Sequence, residues 1–285
     1  MVGNQPMTNP NPLQKYFRQP AIYLSLPSKG EFYPNGALDL PPNGELPVLP
    51  MTAMDEITYR TADGLFNGSA VVSVIKSCVP NIIDPWQMPT SDLDSVLVAI
   101  RIASYGHEME FESKCPQCGG ENNFGLDLRE VMGKITMPDY TKTVDIGDIQ
   151  IFFRPLNYEN QTKNSLQQFE DQKILQTIPS AEMPESDKLD LINAAIYKLG
   201  EMTVNALSQS ISMIKAGDDV VTDKNYISDF IRNCNRQTYD LIKNQVQEFR
   251  THTELQPVTA QCGECSKQYT TPFTLDMSHF FGSDS

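Results

Sequence analysis

The sequence predicts an α+β protein in which a zinc-ribbon-like β unit is split and a mixed α/β region is inserted between its halves. Three observations predict it. Apolar residues alternate with period two around two Cys-x2-Cys pairs, helical periodicity fills much of the rest, and 143 residues separate the pairs. The chain has 285 residues, of which 40% are hydrophobic, enough to bury a real core in one large or two modest domains. Its 20 prolines and 16 glycines imply many turns and irregular connections.

The elements follow in order. Residues 1–20 are polar, hold four prolines and read as a flexible N-terminal arm. Residues 21–130 read as an N-terminal α+β region carrying the first knuckle. It opens with short apolar runs (Ile22, Tyr23, Leu24, Leu26) cut by Pro-Ser-Lys-Gly and by two Pro-Asn-Gly steps, which predicts strands and tight turns. Val71, Val74, Ile75 and Cys78 fall at i, i+3, i+4, i+7, the buried stripe of a helix. A second helix follows, with Leu93, Val96, Leu97 and Ile100 inward, Ser91 as its cap, Asp92 and Asp94 favourable in its first turn, and Gly106 at its end.

Met109 and Phe111, then Phe124, Leu126 and Leu128, alternate on either side of Cys115 and Cys118. Residues 131–253 read as the inserted region. It should contain a hairpin turning at Gly147, a polar and a more apolar helix, a strand and hairpin from Val204 onward, and two short helices. Residues 254–285 repeat the knuckle pattern, with Val258 and Ala260 before Cys262 and Cys265, and Tyr269, Thr271, Phe273 and Leu275 after them.

Four cysteines in two such pairs suit one structural zinc ion. The two-residue spacing lets a tight turn aim two thiolates at one point, and two turns complete a tetrahedron on Cys115, Cys118, Cys262 and Cys265. Zinc ribbons usually space their knuckles by about 15–20 residues, so a shared ion makes the middle region an insertion pinned at both ends. The alternatives are two independent reduced hairpins and a redox pair, the latter disfavoured because redox Cys-x-x-Cys sits between strand and helix. Four thiolates leave no open position for metal catalysis. Cys78 and Cys234 read as buried small apolar residues. His107, His252 and His279 lie near the knuckles in sequence and read as surface or supporting groups.

The net charge of -14 opposes direct nucleic-acid binding. No stretch of about 18 apolar residues predicts a membrane span, and the N-terminus lacks the apolar segment of a secretory leader. No nucleophile, metalloprotease or phosphate-loop motif marks an enzyme or a small-molecule substrate. The adjacent carboxylates of Asp55 and Glu56 read as a helix start.

Four stretches carry a family likeness: "LPSKGEFYPNG" at 26–36, "LPMTAMDE" at 49–56, "DLDSVLVAIRIASYG" at 92–106 and "CPQC" at 115–118. Together they resemble the baseplate hub and hub-assembly proteins of contractile-tailed phages of the T-even type. The likeness covers residues 20–130, and the second Cys-x2-Cys is consistent with it. It implies a non-enzymatic role as a hub component or assembly chaperone. The implied partners are other hub proteins and the tape-measure protein, met in the host cytoplasm during assembly or in the tail baseplate of the virion. The alternative reading is a zinc-ribbon interaction protein of phage transcription or packaging.

Overall fold

The computed structural model describes residues 11–60, 64, 67–178, 183–253, 255–273 and 275. Among them lie eight α-helices and ten strands in small antiparallel sheets, a mixed α+β fold.

Strand β1 (Ile22–Ser25) pairs with β2 (Glu45–Val48). The Pro-Asn-Gly steps between them turn as expected: Ala37 N–H donates to the Pro34 carbonyl at 3.1 Å, and Gly44 N–H to that of Pro41 at 2.8 Å. Gly36 and Gly44 hold φ of 83° and 74°, which glycine adopts without the clash a Cβ would bring. Helix α1 (Ala53–Tyr59) starts at a capping box of Thr52 and Asp55. Helix α2 (Ser69–Cys78) buries Val71, Val74, Ile75 and Cys78, the predicted stripe. Helix α3 (Thr90–Tyr105) buries Val96, Leu97 and Ile100 and stops at Gly106.

The start of α3 differs from the expectation. Pro89 occupies the cap position and no side chain caps the helix. Ser91 is buried inside the first turn instead, because Pro89, with no N–H to lose and a fixed φ, starts the helix two residues earlier. Asp92 stands in the first turn, as expected, but is fully buried there and also binds the loop before β2.

Strands β3 (Glu108–Lys114) and β4 (Glu121–Asp127) form a hairpin. Leu128, expected to continue the alternation, opens helix α4 (Leu128–Lys134), since the Asp127 carboxylate accepts from Arg129 N–H at 2.9 Å and caps a new helix there. These elements, through Leu24, Val48, Ile75, Leu97 and Leu128, form a first hydrophobic core.

A second core sits under the four-stranded sheet β5 (Val144–Ile146), β6 (Ile149–Phe153), β7 (Ile211–Ala216) and β8 (Asp219–Val221). The β5–β6 hairpin turns at Gly147, as predicted. Helices α5 (Tyr158–Thr177) and α6 (Glu185–Ser210) cross between β6 and β7, and α7 (Lys224–Asn233) and α8 (Arg236–Thr253) follow β8. The strand expected from Val204 begins only at Ile211. Val204 and Leu207 are three apart and face the second core from the last turns of α6, so a helical period wins over the short β-rich text.

Strands β9 (Val258–Gln261) and β10 (Gln268–Thr271) form the last hairpin. Just beyond it Phe273 returns to the first core, edge-on to Phe111 at 5.5 Å. Both flanks of the middle region therefore contribute to one core, while Val144 to Phe249 supply the other. Aromatic contacts join the second core to the loop between β1 and β2: Phe32 meets Tyr140 at 5.5 Å, Tyr140 meets Phe249 at 4.6 Å, and Phe249 meets Phe153 at 5.6 Å.

Candidate metal centre

The two Cys-x2-Cys turns come together across the chain. The sulfur atoms of Cys115, Cys118, Cys262 and Cys265 all lie within 4.8 Å of one another. Cys115 and Cys265 are 3.8 Å apart, and Cys118 and Cys262 3.5 Å. A tetrahedron with metal–sulfur bonds of about 2.3 Å has edges of about 3.8 Å, so the spacing fits one thiolate-bound ion. The two turns are built alike. Cys115 N–H donates to Gly120 at 2.9 Å and Gly119 N–H to Cys115, while Cys262 N–H donates to Lys267 at 3.0 Å and Ser266 N–H to Cys262. Gly119 and Ser266 take the left-handed conformation that closes each turn.

Side chains then stitch the hairpins to each other. Gly263 N–H donates to Asn122 Oδ1 at 2.8 Å, Lys267 to Gln117 at 2.7 Å, and the Ser113 and Tyr269 hydroxyls share a bond of 2.6 Å. Phe124 packs edge-on to Tyr269. A Cβ at Gly120 would lie 2.5 Å from a carboxylate oxygen of Glu264, whose exposed side chain can swing aside.

The sulfurs respond unequally to this crowding. Backbone N–H groups of Cys265 and Glu264 hold the Cys262 thiol down to about 6. The Gly120 N–H likewise pulls on Cys118, but its contacts with the sulfurs of Cys262, Cys265 and Cys115 outweigh that and push it up to about 12. Thiolates held this close repel one another, and a divalent cation among them would relieve that repulsion. Cys115 and Cys262 are buried, Cys265 is half-buried and Cys118 is exposed, so an ion has an open approach.

The histidines are not among these ligands: His107 is half-buried and His252 exposed elsewhere, the latter 3.2 Å from Thr136, and His279 lies outside the described residues. Cys78 is buried, as expected, but Cys234 is only half-buried, its thiol donating to the Ile231 carbonyl at the end of α7.

Two further polar sites were not foreseen. Asp92 accepts from Ser28 N–H at 2.8 Å, Ser28 Oγ at 2.5 Å and Tyr33 Oη at 3.0 Å. It thereby fixes "SKGEFY", whose Lys29 and Phe32 stand at φ of 54° and 68°. Burial pushes the Asp92 carboxyl up, against these three donors, and burial also raises Tyr33. Arg18, inside the expected arm, donates to the Pro50 carbonyl at 2.6 Å and the Ser77 carbonyl at 2.7 Å, and meets Asp55 at 3.2 Å.

The fold thus has two cores, and a four-cysteine cluster closes the span between its two turns. The chain belongs to a family described as T4 bacteriophage base plate protein, whose model matches residues 51–282. Searches of curated proteins and of solved structures found no match. The matched span takes in the middle region, where the sequence carried no visible likeness, and begins after "LPSKGEFY".

Proposed function

We propose that this baseplate protein is a hub component or hub-assembly chaperone that binds other hub proteins and the tape-measure protein, and that it works without catalysis. The observation that carries this reading is the closing of the four-cysteine cluster across a 143-residue gap within a baseplate-family chain. Such a cluster serves to hold surfaces in place, and presented surface is what an assembly protein needs. On this reading the cluster binds one structural zinc ion through Cys115, Cys118, Cys262 and Cys265, the paired hairpins are a split zinc ribbon, and residues 131–253 are a unit inserted into it. Among the described residues no helix is long and apolar enough to cross a membrane. The test is genetic and biochemical. Phage lacking the chain should accumulate unfinished baseplates, and the tagged protein should capture hub or tape-measure protein from infected cells. Normal baseplates without it, together with no captured tail protein, would sink the proposal.

A further inference from the structure

One chain carries two exposed apolar patches of opposite charge. The first is the segment before β1. Leu13, Tyr16 and Phe17 are 60%, 73% and 56% exposed, although Arg18 beside them is pinned by the Pro50 and Ser77 carbonyls and by Asp55. These side chains are therefore held out to solvent by an anchor, and much of the ordering cost of binding is already met. The Lys15 ammonium lies over the Tyr16 ring at 4.9 Å. The first 30 residues hold Lys15, Arg18 and Lys29 and no acid, so all 36 acidic residues lie beyond them.

The second patch is on α6. Leu189, Ile192 and Ile196 recur at i, i+3, i+7, and Leu189 and Ile196 are 59% and 57% exposed, although Ala195 on the neighbouring face is buried. Exposed Glu185 lies one turn before Leu189 on the same face and exposed Asp190 beside it, with Lys188 paired to Glu185 at 3.1 Å. An apolar stripe edged with carboxylates suits a cationic, aromatic segment.

We propose that the occupant of the α6 stripe is the Leu13–Arg18 segment of a second copy of this chain, in a head-to-tail contact. The charges select this pairing: each patch meets its opposite on the other copy, whereas like patches repel. Such a contact is heterologous, so it can repeat into a ring or a short filament. The inference is independent of the metal and of the hub partners.

Sedimentation of the full chain, across a wide concentration range at low and high salt, tests it. Self-association should strengthen with concentration and weaken as salt screens the patches. Tyr16→Ser with Phe17→Ser, and separately Ile196→Glu, should each weaken it at least about tenfold. Lys15→Glu, which removes no packing, should weaken it too. All these positions are exposed, so unchanged melting curves would certify the folds. Mixing the arm variant with the stripe variant should restore heterodimers, because each retains one intact patch. A chain that stays monomeric throughout overturns the proposal. So does association that survives the stripe variant, or a mixture that recovers nothing.

Discussion

Removing the ion from the proposed four-thiolate site should destabilise the protein by several kcal/mol, through the length of chain it closes. The 143 residues between Cys118 and Cys262 form the loop. On the chain-entropy scale a permanent cross-link of that length is worth about 5 kcal/mol. The hairpins add bonds that outlast the metal, such as Ser113 to Tyr269 and Gly263 to Asn122, so the loss should be somewhat smaller. At about 2–4 °C per kcal/mol, melting should fall by about 10 °C on chelation under reducing conditions. Calorimetry with and without chelator measures it, alongside the metal content of protein purified without chelator. Because one ion needs both turns, Cys115→Ser with Cys118→Ser should cost as much as Cys262→Ser with Cys265→Ser, and all four together little more. Less than about half an equivalent of zinc, or additive costs for the two pairs, would refute a shared site and leave two separate hairpins.

Three more outcomes follow from the polar sites and the aromatic contact at Phe32. Asp92→Ala strands three donors and should cost about 3 kcal/mol in urea unfolding; a loss under about 1 kcal/mol would contradict the assigned role. Burial raises the Asp94 carboxyl from 3.8 to about 6. The folded chain thus holds that proton more tightly than the unfolded one, and this group's contribution improves as pH falls from about 6 towards about 4. Asp94→Asn should flatten that slope and add up to about 2 kcal/mol at neutral pH, read from denaturation curves at several pH values. Phe32→Ala should destabilise through lost contact with Tyr140, while Phe32→Gly, which relieves the positive φ of 68°, should recover about 1 kcal/mol of that loss. Equal costs for the two variants would remove backbone strain from the account.

What could be read from the sequence was local chemistry. Pro-Asn-Gly dictates its turns through residues that are adjacent, and Cys-x2-Cys dictates a knuckle in the same way. The long-range pairing of the knuckles was legible because both carried the same strand flanks. Asp92 was not legible, because its partners Ser28 and Tyr33 lie 64 and 59 positions away and a carboxylate near a helix start has an ordinary local explanation. Arg18 was hidden for the same reason: three of its acceptors are backbone carbonyls or a hydroxyl, which no side-chain pattern announces. At Val204 to Ser210 the text favoured a strand, and only the packing of Leu207 against the sheet decided for helix.

The aromatic chain from Phe32 to Phe249 bears on how the molecule would carry force. A pull on the tip of the α5–α6 hairpin reaches the rest of the protein by two backbone routes, one through β4 and one through β9, which meet at the cysteine cluster and so share the load in parallel. Phe32 adds a further point of attachment, away from that cluster, at the ring of Tyr140, beside the joint where Thr90 N–H donates to Leu156 and Tyr158 N–H to Met88. With its two ends held together the second core could still swivel about them as about a pin. The ring contact opposes that swivel together with the stack of Trp86 on Tyr158 at the base of α5, and a tug on the hairpin becomes tension borne by the whole molecule instead of rotation of one part.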